Sequence, residues 1–353
     1  MVTRIKIGNR YVGDDEPCFV VAEAGVNHDC MLERGYELIK KAKENGADAI
    51  KFQTYKAEKI AIKNSPKYWT ESDETQYDEY KNFDYLSEED FIKMQKYAEE
   101  LGIIFFSTPF DEESADFLEK IGVPMYKIAS ADITHLNLLK HIAKKGLPMA
   151  LSTGAATIGE IEEAVSVIEE QGNNQIILLH CILSYPTPTK DMNLNMIPTL
   201  KKIFPDYLIG LSDHSLGTLV PIGAVSLGAK MIEKHYTIDK TLKGSADHWL
   251  SVDPKELKEM VTNIKQIESA LGSTLARRPI KVEEPAQRLA RRSIVANRDI
   301  RAGEIFDVKN ITSKRPGTGI NPRFFSEIIG RRVLKDMKED DILDWEHVGE
   351  LKK

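Results

Sequence analysis

The chain of 353 residues is poor in cysteine, with only Cys18, Cys30 and Cys181. Three scattered thiols cannot frame a disulfide-stapled domain or a four-cysteine zinc site. Long apolar runs are missing too, and nothing approaches the roughly 20 residues of a membrane-spanning helix. The start, Met1 to Gly13, has Arg4, Lys6 and Arg10 but no apolar stretch of the kind a secretory signal needs. Positive charge is not in excess. Forty-eight Lys and Arg face 55 Asp and Glu, and the net charge of −7 weighs against a nucleic-acid partner. What remains is ordinary for a globular protein: 42% hydrophobic and 29% charged residues supply a large core and argue against disorder. At about 100–200 residues per domain, the length suggests two domains. The expected setting is the cytoplasm.

The first 270 or so residues repeat one rhythm, a short apolar strand ending in polar residues and then an amphipathic helix. The strands read Cys18–Gly25, Ala49–Thr54, Ile103–Phe110, Met125–Ser130, Pro148–Gly154, Ile176–Cys181, Leu208–His214 and Met231–Thr237. Helices between them include Met31–Asn45, Ser87–Leu101, Glu112–Ile121, Ile158–Glu170 and Pro254–Leu271. Near-continuous apolar strands alternating with helices imply a parallel sheet covered on both faces. Eight such units in about 250 residues fit a (β/α)₈ TIM barrel. An open doubly wound sheet is the alternative, although no G-x-G-x-x-G follows the first strand. The connection between Thr54 and Ser87 is too long for a plain loop and holds Tyr68, Trp69, Tyr77, Tyr80, Phe83 and Tyr85. It is expected to be a partly ordered lid. After Leu271 the rhythm stops. The expected division is a barrel over 1–275, a basic, proline-bearing linker over 276–291 and a small turn-rich domain over 292–353.

Polar residues at nearly all eight strand ends point to an active site there, because barrel enzymes build theirs at the C-terminal ends of the strands. His214 and His235 end neighbouring strands, close enough to share a divalent ion. Two imidazoles with oxygen ligands suit Mn, Fe, Co or Zn better than Ca. Two hydrogen-bonded structural histidines are the plain alternative. Glu233 shares the strand face of His235; it is either a further ligand or, as expected, a carboxylate paired to a lysine. Lys51 and Lys127, with the hydroxyls of Thr108, Ser130, Ser152 and Ser212, would suit a phosphate-bearing carboxylate. A strand-end lysine also allows a Schiff base and hence a metal-free aldolase. Glu23 reads as a general base, as a ligand for a substrate hydroxyl, or as the salt-bridge partner of Lys51. Cys18 and Cys181 read as inert core thiols, His180 as a satisfied strand histidine, and Asp247-His248 as a loop that could reach a substrate but by itself reads only as exposed.

Several runs resemble the sialic acid synthase family: Val21-Ala22-Glu23-Ala24-Gly25-Val26-Asn27-His28, Ile50-Lys51-Phe52-Gln53-Thr54, Phe106-Ser107-Thr108-Pro109-Phe110-Asp111 and Lys127-Ile128-Ala129-Ser130. So do Leu151-Ser152-Thr153-Gly154, Tyr185-Pro186-Thr187-Pro188, Gly210-Leu211-Ser212-Asp213-His214-Ser215 and Glu233-Lys234-His235-Tyr236-Thr237. The tail from Arg292 to His347, with Lys314-Arg315-Pro316-Gly317, is similar to that family's antifreeze-like (SAF, β-clip) domain. The resemblance implies a TIM barrel joined to this tail in a domain-swapped homodimer. It implies condensation of phosphoenolpyruvate with N-acetylmannosamine or a diacetamido-trideoxyhexose, giving N-acetylneuraminate, legionaminate or pseudaminate. His214 and His235 would hold Mn²⁺, with Mg²⁺ or Co²⁺ as alternatives. Lys51, Thr108, Lys127, Ser130, Ser152 and Ser212 would bind phosphoenolpyruvate, with Gln53 nearby. Glu23 would contact the reacting groups or the attacking water. Tyr185 and Asp247 would hold the sugar, and Arg315 would reach it from the partner's tail. The chain departs from the family's pattern at Asp29-Cys30 in place of Asn-Gly, Asp132 in place of Glu, Leu183 in place of Asn, and Ser245-Ala246 in place of Gly-Pro. These changes bear on the sugar. A Schiff-base aldolase and a non-catalytic sugar-binding protein are carried as rival readings.

Overall fold

The computed structural model describes residues 4–69, 73–272 and 278–352. The chain divides into two compact units, Met1–Gly272 and Ser273–Lys353.

The first unit opens with a hairpin of β1 (Arg4–Ile7) and β2 (Arg10–Gly13), whose buried Ile5, Ile7 and Val12 join the core. Eight parallel strands then close a barrel: β3 (Phe19–Gly25), β4 (Ala49–Thr54), β5 (Ile104–Pro109), β6 (Tyr126–Ile128), β7 (Met149–Ser152), β8 (Ile176–Cys181), β9 (Leu208–Asp213) and β10 (Met231–His235). They follow one another in chain order, and β10 pairs with β3 to complete the ring, which excludes the open sheet. Every residue of β3, β5, β8, β9 and β10 is buried. That burial on both faces is why the strands read as continuous apolar runs.

Helices leave the strand ends under local control. The helix Pro254–Leu271 starts at an Asp253 cap with Glu256 reaching back and Pro254 in its first turn. Glu112–Ile121 stops at Gly122 in the left-handed conformation. Among the described residues no helix is long and apolar enough to cross a membrane.

The connection from β4 contains two short helices, Ala57–Ile60 and Gln76–Phe83, the second opened by a Thr75–Asp78 capping box. These helices lie within the stretch Thr54–Ser87 expected to form a lid; residues 70–72 lie outside the described residues.

The second unit pairs β11 (Ser293–Ala296) with β12 (Ile311–Lys314), and β13 (Arg331–Val333) with β14 (Val348–Leu351). Its own core gathers Ile294, Ile300, Phe306, Ile311, Ile328 and Leu343. The stretch read as a linker holds a short helix, Glu284–Leu289.

Candidate active site

A cavity of about 490 Å³ opens at the C-terminal ends of the barrel strands. It is lined by Glu23, Lys51, Gln53, Thr108, Lys127, Ser130, Ser152, Tyr185, Ser212, His214, His235 and Asp247. These are all the candidates from the sequence except Arg315, which belongs to the second unit.

The strands place these groups by alternation and register. Lys51 and Gln53 are two apart on β4 and share a face. Register sets Glu23 beside Lys51 on one side and His235 on the other. The Lys51 ammonium donates to Thr108 Oγ1 at 2.8 Å, lies 3.0 Å from Glu23 Oε2 and 3.7 Å from Glu233 Oε2. Lys127 Nζ lies 3.5 Å from Glu233 Oε1 and donates to Ile128 O at 2.9 Å. Ser212 Oγ donates to Glu233 Oε1, and Gln53 Nε2 to Glu23 Oε1. Glu233 is thus the lysine-paired carboxylate the sequence leads one to expect. Ser152 Oγ is buried with no hydrogen-bond partner, a donor left over for a ligand.

Burial and neighbouring charge divide these groups. Burial pushes the Glu23 carboxyl up and Glu233 adds to this, while Lys51 opposes. Burial pulls on both lysines. On Lys51 it is outweighed by Glu23 and Glu233, so that ammonium is held above its ordinary value. Lys127 ends below its ordinary value despite Glu233.

The imidazoles stand side by side, with ring centroids 5.4 Å apart. Tyr185 stacks on His214 at 4.1 Å and meets His235 edge-on at 5.8 Å. His214 Nδ1 lies 2.8 Å from the Ile182 carbonyl, which fixes it as the protonated nitrogen and leaves Nε2 with a free lone pair. His235 Nδ1 is buried with no hydrogen-bond partner, 3.5 Å from Asp247 Oδ2. Burial, with His214 and Lys51 adding, drives the His235 pKa well down, so its ring is neutral and able to ligate. Burial works on His214 too, but Cys181 and the Ile182 carbonyl outweigh it and hold its pKa above the ordinary value, so a metal would have to displace a proton there. The orphaned His235 nitrogen beside a second imidazole suits a divalent ion of the imidazole-preferring type. Among the described residues no group of three His, Cys, Asp or Glu is arranged to hold a metal. Two imidazoles would therefore need oxygens from substrate and water.

Two expectations are refined. Cys181 is buried as a core thiol would be, but it is not remote from the chemistry: it lines the cavity with its Sγ 3.8 Å from His214 Nδ1. It ends β8, so its inward face opens on the cavity. Asp247-His248 is not simply an exposed loop, since His248 is fully buried and Asp247 leans on His235. The long connection expected as a lid supplies Tyr68, Trp69, Tyr80 and Phe83 to the outer wall of the cavity, while Glu79, Trp249 and Leu250 on that wall were not anticipated. The aromatic content of the long connection is the signal that led to that expectation. The departures Leu183 and Ser245-Ala246 lie on this cavity as well.

Comparison with known proteins places the chain. Residues 38–276 match the NeuB family model, and residues 291–349 match the SAF domain. An N,N'-diacetyllegionaminic acid synthase of Legionella pneumophila is 41% identical, covering 95% of this chain and 96% of that one. The N-acetylneuraminate-9-phosphate synthase of Homo sapiens is 35% identical, over 95% and 93% of the two chains. The crystal structure of an N-acetylneuraminic acid synthetase from Leptospira borgpetersenii serovar Hardjo-bovis is 38% identical, with a TM-score of 0.73 over 80% of this chain and 94% of that one. The strand-end cavity, the eight-stranded barrel and the small C-terminal unit are therefore those of an enzyme, and the chain belongs to the NeuB family of synthases.

Proposed function

We propose that the protein condenses phosphoenolpyruvate with an N-acetylated amino sugar, N-acetylmannosamine or a diacetamido-trideoxyhexose, and water to give a nonulosonic acid and inorganic phosphate. The observation that carries this reading is the convergence of two buried lysines, four hydroxyls and two imidazoles on one cavity. In this reading Lys51, Lys127, Thr108, Ser130, Ser152 and Ser212 hold the phosphate and carboxylate, replacing water by fixed donors. His214 and His235 would hold a divalent ion, Mn²⁺ first among the candidates, whose contribution is Lewis-acid polarisation of the sugar aldehyde. Tyr185 and Asp247 orient the open-chain sugar so that its C1 meets C3 of phosphoenolpyruvate. The new bond is C3–C1. Water adds at C2, and C–O cleavage releases phosphate. Glu23, whose carboxyl is raised by burial and bridged to Lys51 and Gln53, accepts the water's proton. The lid aromatics exclude bulk water.

The test is phosphate release from phosphoenolpyruvate with N-acetylmannosamine or 2,4-diacetamido-2,4,6-trideoxymannose. Activity should vanish in EDTA and return with Mn²⁺. No release with either sugar in the presence of metal would defeat the reading. Arg315 is taken to reach the sugar from a second copy of the chain, in a swapped homodimer. One observation favours the aldolase as a second reading: burial lowers the Lys127 pKa, as a Schiff-base amine requires. Borohydride trapping with pyruvate decides it, since only the aldolase leaves a covalent adduct.

A further inference from the structure

The turn after β3 puts two consecutive non-glycine residues in the left-handed region, Asp29 at φ 46° and Cys30 at φ 57°. Side chains with a Cβ resist that conformation unless their surroundings over-determine it. Here they do. The Asp29 carboxylate accepts from Ser245 N at 2.7 Å and from His248 Nε2 at 3.0 Å, and it pairs with Arg34. His248 Nδ1 in turn meets Thr237 Oγ1 at 2.8 Å. The loop presses so closely that any Cβ on Gly244 would collide with this carboxylate.

The same loop carries Asp247. Its amide donates to Ser245 Oγ at 3.1 Å, and its carbonyl accepts from Ser251 Oγ at 2.7 Å. Ser251 Oγ also accepts from Asn27 Nδ2 at 3.1 Å, two residues before Asp29. Asp247 is therefore gripped on both sides by residues tied to one turn. The grip does not extend to the other end of the cavity, where Lys51 and Lys127 lean on Glu23, Glu233 and Thr108.

We propose that Asp29, through His248 and Ser245, is a positioning residue that sets the Asp247 carboxylate against His235 and so governs the acceptor-sugar end of the site alone. This rests on the function proposed above. Asp29→Asn keeps the volume but has one acceptor oxygen: placed toward Ser245 it leaves an amide facing Arg34 and the nearer side of His248, and placed toward those it leaves an amide facing the Ser245 N–H. The expected result, with whichever of N-acetylmannosamine and 2,4-diacetamido-2,4,6-trideoxymannose is turned over, is a rise of about tenfold in the sugar KM with the phosphoenolpyruvate KM within about twofold. Asp29→Asn combined with Asp247→Asn should be no worse than Asp247→Asn alone. Amide exchange at Ser245, Asp247 and Ser251 should quicken while that of the barrel strands is unchanged. His248→Leu, which removes the donor from the other side, should give the same split. An unchanged sugar KM, an equal rise for both substrates, or additive single variants would overturn the proposal. If the wild-type enzyme consumes phosphoenolpyruvate with neither sugar, the functional reading fails, and the exchange arm still decides whether Asp29 holds the loop.

Discussion

His28 is buried beneath the turn that follows β3, and its Nδ1 accepts from the Cys30 amide at 2.9 Å. Burial, with Arg34 adding, lowers its pKa to about 4. The unfolded chain takes up this proton as pH falls through about 6.5, whereas the folded chain refuses it until about 4. Stability is thus fully present above pH 6.5 and is lost progressively over that interval. At about 1.4 kcal/mol per unit, the loss from this one residue reaches about 3 kcal/mol. His28→Gln keeps an acceptor for the Cys30 amide and removes the titration. Urea unfolding of the wild type should weaken between pH 7.5 and 4.5, and the His28→Gln curve should be flatter by that amount. Parallel curves for the two proteins would contradict the assignment.

Two glycines show how elements answer differently to the same change. Gly210 lies in β9 where a Cβ would come within 2.5 Å of the Met231 carbonyl and 2.6 Å of Leu179 Cδ2. Gly210→Ala should push β9 from β10, costing about 1–3 kcal/mol. Because Ser212 and His214 lie just beyond it, turnover should fall with the melting temperature. Gly122 ends its helix at φ 80° with open space around it. Gly122→Ala strains only the left-handed cap, costing about 1–2 kcal/mol, and its kinetics should match the wild type. Equal kinetic damage in both variants would argue against close strand packing as the cause. The same scale explains what the sequence could reveal. β4 and β8 fall where the sequence leads one to expect, because each opens on the apolar residues that a strand covered on both faces needs and turns polar toward the site, at Lys51 and Gln53 and at His180. The β1–β2 hairpin went unread because four-residue strands bearing Arg4, Lys6 and Arg10 resemble a polar start. The helix Leu219–Ser226 has no charged residue and so no polar face to set a period. Strand-end site residues stand out as polar groups closing apolar runs. The Asp29–His248 pair does not, since its partners are 219 positions apart and only barrel closure brings them together.

The two units each carry a separate core, the larger around the barrel and the smaller around Ile294, Phe306 and Leu343. A unit that folds around its own side chains can serve another copy of the chain as well as its own, and isologous dimers make such exchange symmetric. The proposed role of Arg315 turns this into a genetic test. Arg315→Ala spoils the tail and leaves the barrel intact; Lys51→Ala spoils the barrel and leaves the tail intact. Each homodimer should be nearly inactive, the first through a raised sugar KM and the second through lost phosphoenolpyruvate binding. In a mixed dimer the intact barrel would receive the intact tail if Arg315 acts across the subunit boundary, giving one working site of two. With random pairing, half the dimers are mixed, so coexpression should restore about a quarter of wild-type turnover. If Arg315 acts on its own barrel, the mixed dimer contains no complete site and turnover stays at the level of the parents. Size measurement on the same preparations distinguishes that outcome from a chain that never dimerises.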